Sequence, residues 1–147
     1  MYKKILVAID GSDPAKNAAE YAAETAEKWD ANLLLLTVAP PPSVNFTNVG
    51  GFSADYNVDY EKTLMSYYVG VIEDAKKSLK EKHTGLDITT QIKKGHPARK
   101  IVEVSETDDV DLIVIGSRGH GGLTGWFLGS VSNYVVNHCT KPILVVK

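Results

Sequence analysis

The sequence predicts an α/β fold, an open five-stranded parallel sheet with helices on both faces. Two observations carry this. Short apolar runs rich in β-branched residues, such as Ile5–Ile9, Leu33–Val38 and Leu112–Ile115, show no polar alternation, as expected of strands buried on both faces. Segments with helical spacing separate the strands in strict alternation, the pattern of a parallel sheet built from βα units. Right-handed crossovers then leave very few topologies.

The first strand, Ile5–Ile9, stops at Asp10-Gly11-Ser12. Ser12 or Asp13 can cap the helix that follows, with Pro14 at its first position. That helix is expected over Pro14–Trp29, where Ala15, Ala18, Ala19, Ala22, Ala23 and Ala26 recur at helical spacing. Small residues on that stripe let a helix lie close on a sheet. Leu33–Val38 is the second strand. Ala39–Asp59, opening with Pro40-Pro41-Pro42, has no clear periodicity and is expected to be a long loop, either a flap over a site or disordered. A long helix over Tyr60–Lys82 carries the stripe Leu64, Tyr68, Val71, Ile72, Ala75 and Leu79. Leu86–Lys94 alternates, with Leu86, Ile88, Thr90 and Ile92 on one side, which predicts an edge strand with one wetter face. Gly95-His96-Pro97 leads into a short helix, Ala98–Thr107, with Ile101, Val102 and Ser105 inward. The central strand Leu112–Ile115 follows Asp111. Ser130–His138 is helical, with Val131, Tyr134 and Val135 inward, and Ile143–Val146 is the last strand.

Composition bounds the function. At 147 residues the chain is most simply one domain. A net charge of −2 supplies no basic field for nucleic acid or an anionic membrane. No apolar run approaches the roughly 20 residues that span a bilayer, and Ile5–Ile9 is too short for a signal peptide core. The single cysteine, Cys139, cannot form an internal disulfide and is expected to be a buried, inert thiol. These features together predict a cytoplasmic protein. His83, His96 and His138 show no metal-ligand spacing.

The chemistry concentrates in Ile113–Asn133, where a strand runs into a loop holding Gly116, Gly119, Gly121, Gly122 and Gly125, followed by a helix opened by Gly129-Ser130. Glycines let backbone N–H groups approach an anion with no Cβ in the way, and the first amides of a helix are unpaired at its positive end. The stretch reads as a phosphate cradle. It is neither a P-loop, having no lysine, nor the dinucleotide fingerprint GxGxxG. It shows instead Gly116-x-x-Gly119, nine residues, and Gly129-Ser130.

With that spacing after the fourth strand, Asp10 ending the first, the Gly95-His96-Pro97-Ala98 turn and Lys141-Pro142 before the last strand, the chain resembles the ATP-binding class of universal stress proteins over essentially its whole length. The resemblance implies sheet order 3-2-1-4-5, with a ligand crevice at the switch point between strands 1 and 4. It further implies that Gly116 and Gly119 approach ribose and phosphates. Gly129, Ser130, Val131 and Ser132 would offer amides and hydroxyls to phosphate, and Arg118 would lie beside ribose or phosphate. Asp10 would accept from a ribose hydroxyl or adenine, and Val38 would pair its backbone with the adenine edge. Ala8, Ile9 and Ile115 would form apolar walls. For Mg²⁺ the candidates are Asp10 and Asp13.

Three readings of function follow: an ATP-binding stress or signalling module acting through protein partners, a slow ATPase or phosphotransferase, or a structural dimer with no nucleotide. Efficient turnover is disfavoured, because one arginine and no acidic residue lie between Gly116 and Lys147. A homodimer through the last strand, Pro142–Val146, is expected, since that strand is short, apolar and at a sheet edge in the family topology.

Overall fold

The structure, a computed structural model, describes residues 1–41, 54–117 and 128–147, with side chains for all of these except 54–59 and 128. The described residues form β1 (Lys4–Ala8), α1 (Asp13–Trp29), β2 (Asn32–Ala39), α2 (Ala54–Lys82), β3 (Ile88–Lys94), α3 (Pro97–Thr107), β4 (Leu112–Gly116), α4 (Leu128–His138) and β5 (Ile143–Val146). All strand pairs are parallel, in the order β3-β2-β1-β4-β5. The chain winds β1→β2→β3 one way and β4→β5 the other. Right-handed crossovers therefore put α1 and α2 on one face of the sheet and α3 and α4 on the opposite face.

The unbroken apolar runs become the central strands because both faces are covered. Ile5, Leu6, Val7, Leu33, Leu35, Leu36, Ile113 and Ile115 are fully buried. On α1 all six stripe alanines are buried, and Ser12 is the cap, its Oγ accepting the Ala15 N–H at 3.3 Å. Asp111 pins the sheet's lower end. Its Oδ2 accepts the Lys3 and Lys4 amides at 2.7 and 2.9 Å, and these backbone bonds hold its carboxyl below the usual carboxylate range.

Several boundaries and two side chains differ from expectation. α2 begins at Ala54, so the expected loop Ala39–Asp59 loses its ends to β2 and α2. No glycine or proline interrupts 54–69, and a formed helix propagates cheaply through such a stretch. The rest of that loop, 42–53, lies outside the described residues. β3 begins at Ile88, two residues after Leu86, whose amide is drawn into a turn by the His83 carbonyl at 3.1 Å. In α3 the fully packed positions are Ile101, Val104 and Ser105, with Val102 half-buried. α4 starts at Leu128, so Gly129 and Ser130 lie within its first turn. Cys139 is half-buried, with its Sγ 3.3 Å from the Lys141 amide that donates to it.

α1 and α2 are fastened by a charged clasp. His83, just past α2, places Nδ1 3.0 Å from Glu27 and Nε2 3.2 Å from Glu20, while Lys82 reaches Glu20 as well. Carboxylates only accept, so both contacts are hydrogen bonds only when both ring nitrogens carry protons. The Glu27 bond, aided by Glu20, raises the His83 pKa against the opposing effect of burial. The folded value lies above the unfolded one, so the clasp stabilises fully below about pH 6.5 and loses its effect as pH rises through the folded value. Chemical denaturation of His83→Ala is expected to show a loss of about 2 kcal/mol at pH 6 that shrinks as pH rises through the folded value. A loss that does not change with pH would contradict the clasp.

Candidate functional site

The strand order places the carboxyl ends of β1 and β4 side by side where the winding reverses. At that point helices leave in opposite directions and a crevice can open. The pairing Leu6↔Ile113 puts these side chains on one face, and alternation carries the same face to Ala8 and Ile115, and through Leu34↔Leu6 to Val38. Ala8, Val38 and Ile115 are all fully buried there, on the α3/α4 side. Ile9 falls on the other face. It lines a groove of about 580 Å³ between α1 and α2, together with Gly11, Ala15, Tyr67, Val71 and Leu79.

Asp10 follows the last ladder bond of β1, in which Ile9 N–H donates to Leu36 O at 2.9 Å. Its side chain is fully buried. Both the amide and the hydroxyl of Ser12 donate to Oδ1, the amide at 2.9 Å. Oδ2 is buried and receives no hydrogen bond from the described residues. A buried carboxylate oxygen without a donor is costly. Thr37 Oγ1 and Gln91 Oε1 are the other two buried orphans among the described residues, and both belong to uncharged side chains. Ser12 is legible in the sequence only as a helix cap, because its signal here is a shared hydrogen bond, which a sequence does not display.

Across the switch point, Gly116 ends β4 beside Val146, and Ser117 N–H donates to Val146 O at 2.8 Å. Arg118 and Gly119 lie outside the described residues. α4 brings back Gly129, Ser130, Val131 and Ser132 in its first turns, where several amides have no intrahelical acceptor. Ser132 Oγ donates to Gly129 O at 3.1 Å, and Ser130 is exposed. A Cβ built on Gly129 would approach nothing nearer than Ser117 O at 3.6 Å, an ordinary contact. The described residues around Gly129 therefore do not themselves require glycine there. Asp13, the other Mg²⁺ candidate, opens α1 with its carboxylate 98% exposed and 3.9 Å from Lys16 Nζ. No cluster of three metal-ligating side chains occurs among the described residues.

The profile of the universal stress protein family matches residues 1–147. The chain belongs to the universal stress protein family. Among universal stress proteins, it is 34% identical to YxiE of Bacillus subtilis, with all of both chains covered. It is 33% identical to MJ0531 of Methanocaldococcus jannaschii, covering all of this chain and 83% of the other. In structure it is similar to MJ0577 of the same archaeon, with TM-score 0.81, 29% identity and coverage of 100% and 96%. More distant universal stress proteins share the fold at 24% and 23% identity, one solved in complex with cAMP and one, from Arabidopsis thaliana, with AMP bound. The family fold has the parallel order 3-2-1-4-5 and four helices found here. No helix among the described residues is long and apolar enough to cross a membrane.

Proposed function

We propose that this universal stress protein binds an adenine nucleotide, ATP first among them, at the β1/β4 switch point, and that occupancy is the state a protein partner reads. The observation that carries the reading is Asp10 Oδ2, a buried acceptor with no hydrogen bond, at the carboxyl end of the central strand. A ribose hydroxyl or the adenine amine would supply the missing donor. Gly129 adds support. Glycine in a helix costs about 1 kcal/mol relative to alanine, and no described neighbour demands it, whereas a phosphate resting on the α4 amides would. In this reading Gly116, Gly119, Arg118, Ser130, Val131 and Ser132 line the ribose and phosphates, and Ala8, Val38 and Ile115 flank the base. Mg²⁺ would travel on the triphosphate, with Asp10 or Asp13 as the protein carboxylate. Hydrolysis is expected to be slow, since that end of the crevice has no further acid. Purified protein is expected to release adenine nucleotide on denaturation, identified by mass spectrometry, and to bind added ATP in calorimetry. Repeated absence of both would overturn the reading and favour a structural dimer.

The same reading includes a cytoplasmic homodimer through β5. Leu144 and Val145 on this short strand are each 38% exposed, apolar side chains at a sheet edge that no described strand covers. Light scattering at micromolar concentration is expected to give a dimer, and Val145→Arg a monomer. A monomeric wild type would contradict the assignment.

A further inference from the structure

We propose that Ser12 is a positioning residue that makes Asp10 a single-oxygen acceptor, so that the crevice reads a ligand group offering one donor and rejects a two-donor edge. The inference rests on the nucleotide reading and specifies its selectivity. A carboxylate oxygen offers about two lone-pair sites. On Oδ1 both are filled by one residue, the Ser12 amide at 2.9 Å and the Ser12 hydroxyl. The hydroxyl has one proton, which goes to Asp10, and it meanwhile accepts the Ala15 amide at 3.3 Å. Ser12 is therefore held from both sides, being 3% exposed and tied to the first turn of α1. Its grip turns the carboxylate so that Oδ2 alone stays unpaired.

Side-on pairing to two adjacent donors needs both oxygens, as in carboxylate recognition of the guanine N1–H and amino edge. With Oδ1 saturated, Asp10 offers no such pair. One donor, such as the exocyclic amine of adenine, fits the remaining oxygen. The positive φ of Gly11, +87°, bends the chain between the two residues so that Ser12 can turn back on Asp10. The Asp-x-Ser geometry thus acts as a selectivity device as well as a helix start.

The test uses ATP and GTP calorimetry, with thermal unfolding, on wild type, Ser12→Thr, Ser12→Gly, Asp10→Asn and the Asp10→Asn/Ser12→Gly double variant. Glycine is tolerated at a helix cap nearly as well as serine, so Ser12→Gly removes the hydroxyl while keeping the start of α1. Its ATP affinity is expected to fall about 5- to 10-fold and its ATP-over-GTP preference to narrow. Ser12→Thr retains both. On Asp10→Asn, the added Ser12→Gly change has no further effect on affinity. An equal loss in the Asp10→Asn background, or an unchanged nucleotide preference in Ser12→Gly, overturns the proposal. If Ser12→Gly does not fold, Ser12→Ala takes its place with the same expectations for affinity. If wild type binds neither nucleotide, the nucleotide reading fails. A crystal structure of Ser12→Gly then decides the positioning role by itself: a turned Asp10 carboxyl supports it and an unmoved one overturns it.

Discussion

Asp10→Asn is expected to lower ATP affinity about 10- to 100-fold while leaving the ligand-free protein as stable as wild type or slightly more so. The two effects have opposite signs for one reason. The asparagine carbonyl can keep the Ser12 bonds made by Oδ1, so the turn into α1 survives. The amide nitrogen then stands where Oδ2 stood, a donor in place of an acceptor. Without ligand, the exchange trades an unsatisfied buried carboxylate oxygen for an unsatisfied but uncharged amide, whose burial costs less. With ligand, it sets donor against donor. Calorimetry and thermal unfolding of the same preparations measure both effects. Loss of stability with undiminished affinity would make Asp10 a turn acceptor and nothing more.

Gly11→Val is expected to destabilise the protein by about 3 kcal/mol, roughly 10 °C in Tm. The φ of +87° is a conformation that a β-branched side chain rarely adopts. A Cβ there would also stand 3.2 Å from Val71 Cγ2 and 3.3 Å from the Tyr67 hydroxyl, so α2 rests directly on this turn. Because Gly11 joins Asp10 to Ser12, ATP affinity should fall with stability. Thermal unfolding within about 2 °C of wild type would show that the turn adapts and is not held by α2.

The fold was largely legible because its signals are local. Ile5–Ile9, Leu33–Val38 and Leu112–Ile115 are apolar at every position but Thr37, and only strands covered on both faces bury such runs. The alternation from Ile88 marked β3 as an edge, where the sheet order puts it. Boundaries were less legible, since they depend on competition between neighbours. Leu86 fits the strand period, but its amide is captured by the His83 carbonyl. Val102 and Val104 are equally apolar, and only the seating of α3 in the folded chain decides that Val104 packs fully while Val102 stays half-buried. In the candidate site, spacing pointed to Gly116, Gly129 and Ser130, because a glycine pattern is visible in a string of letters. The unpaired oxygen of Asp10 was not visible. It follows from the rotamer that Ser12 imposes, which is a matter of three-dimensional hydrogen bonding. Ala8 and Ile9 both read as walls of one crevice, yet the alternation of β1 sends Ile9 to the α1/α2 face.

A crystal structure of the protein grown with ATP and Mg²⁺ tests the central claim most directly. The expected result is nucleotide at the β1/β4 switch point, with a base or ribose donor within about 3.2 Å of Asp10 Oδ2 and phosphate oxygens against the first amides of α4. ATP bound elsewhere, with Oδ2 still lacking a donor, would contradict it.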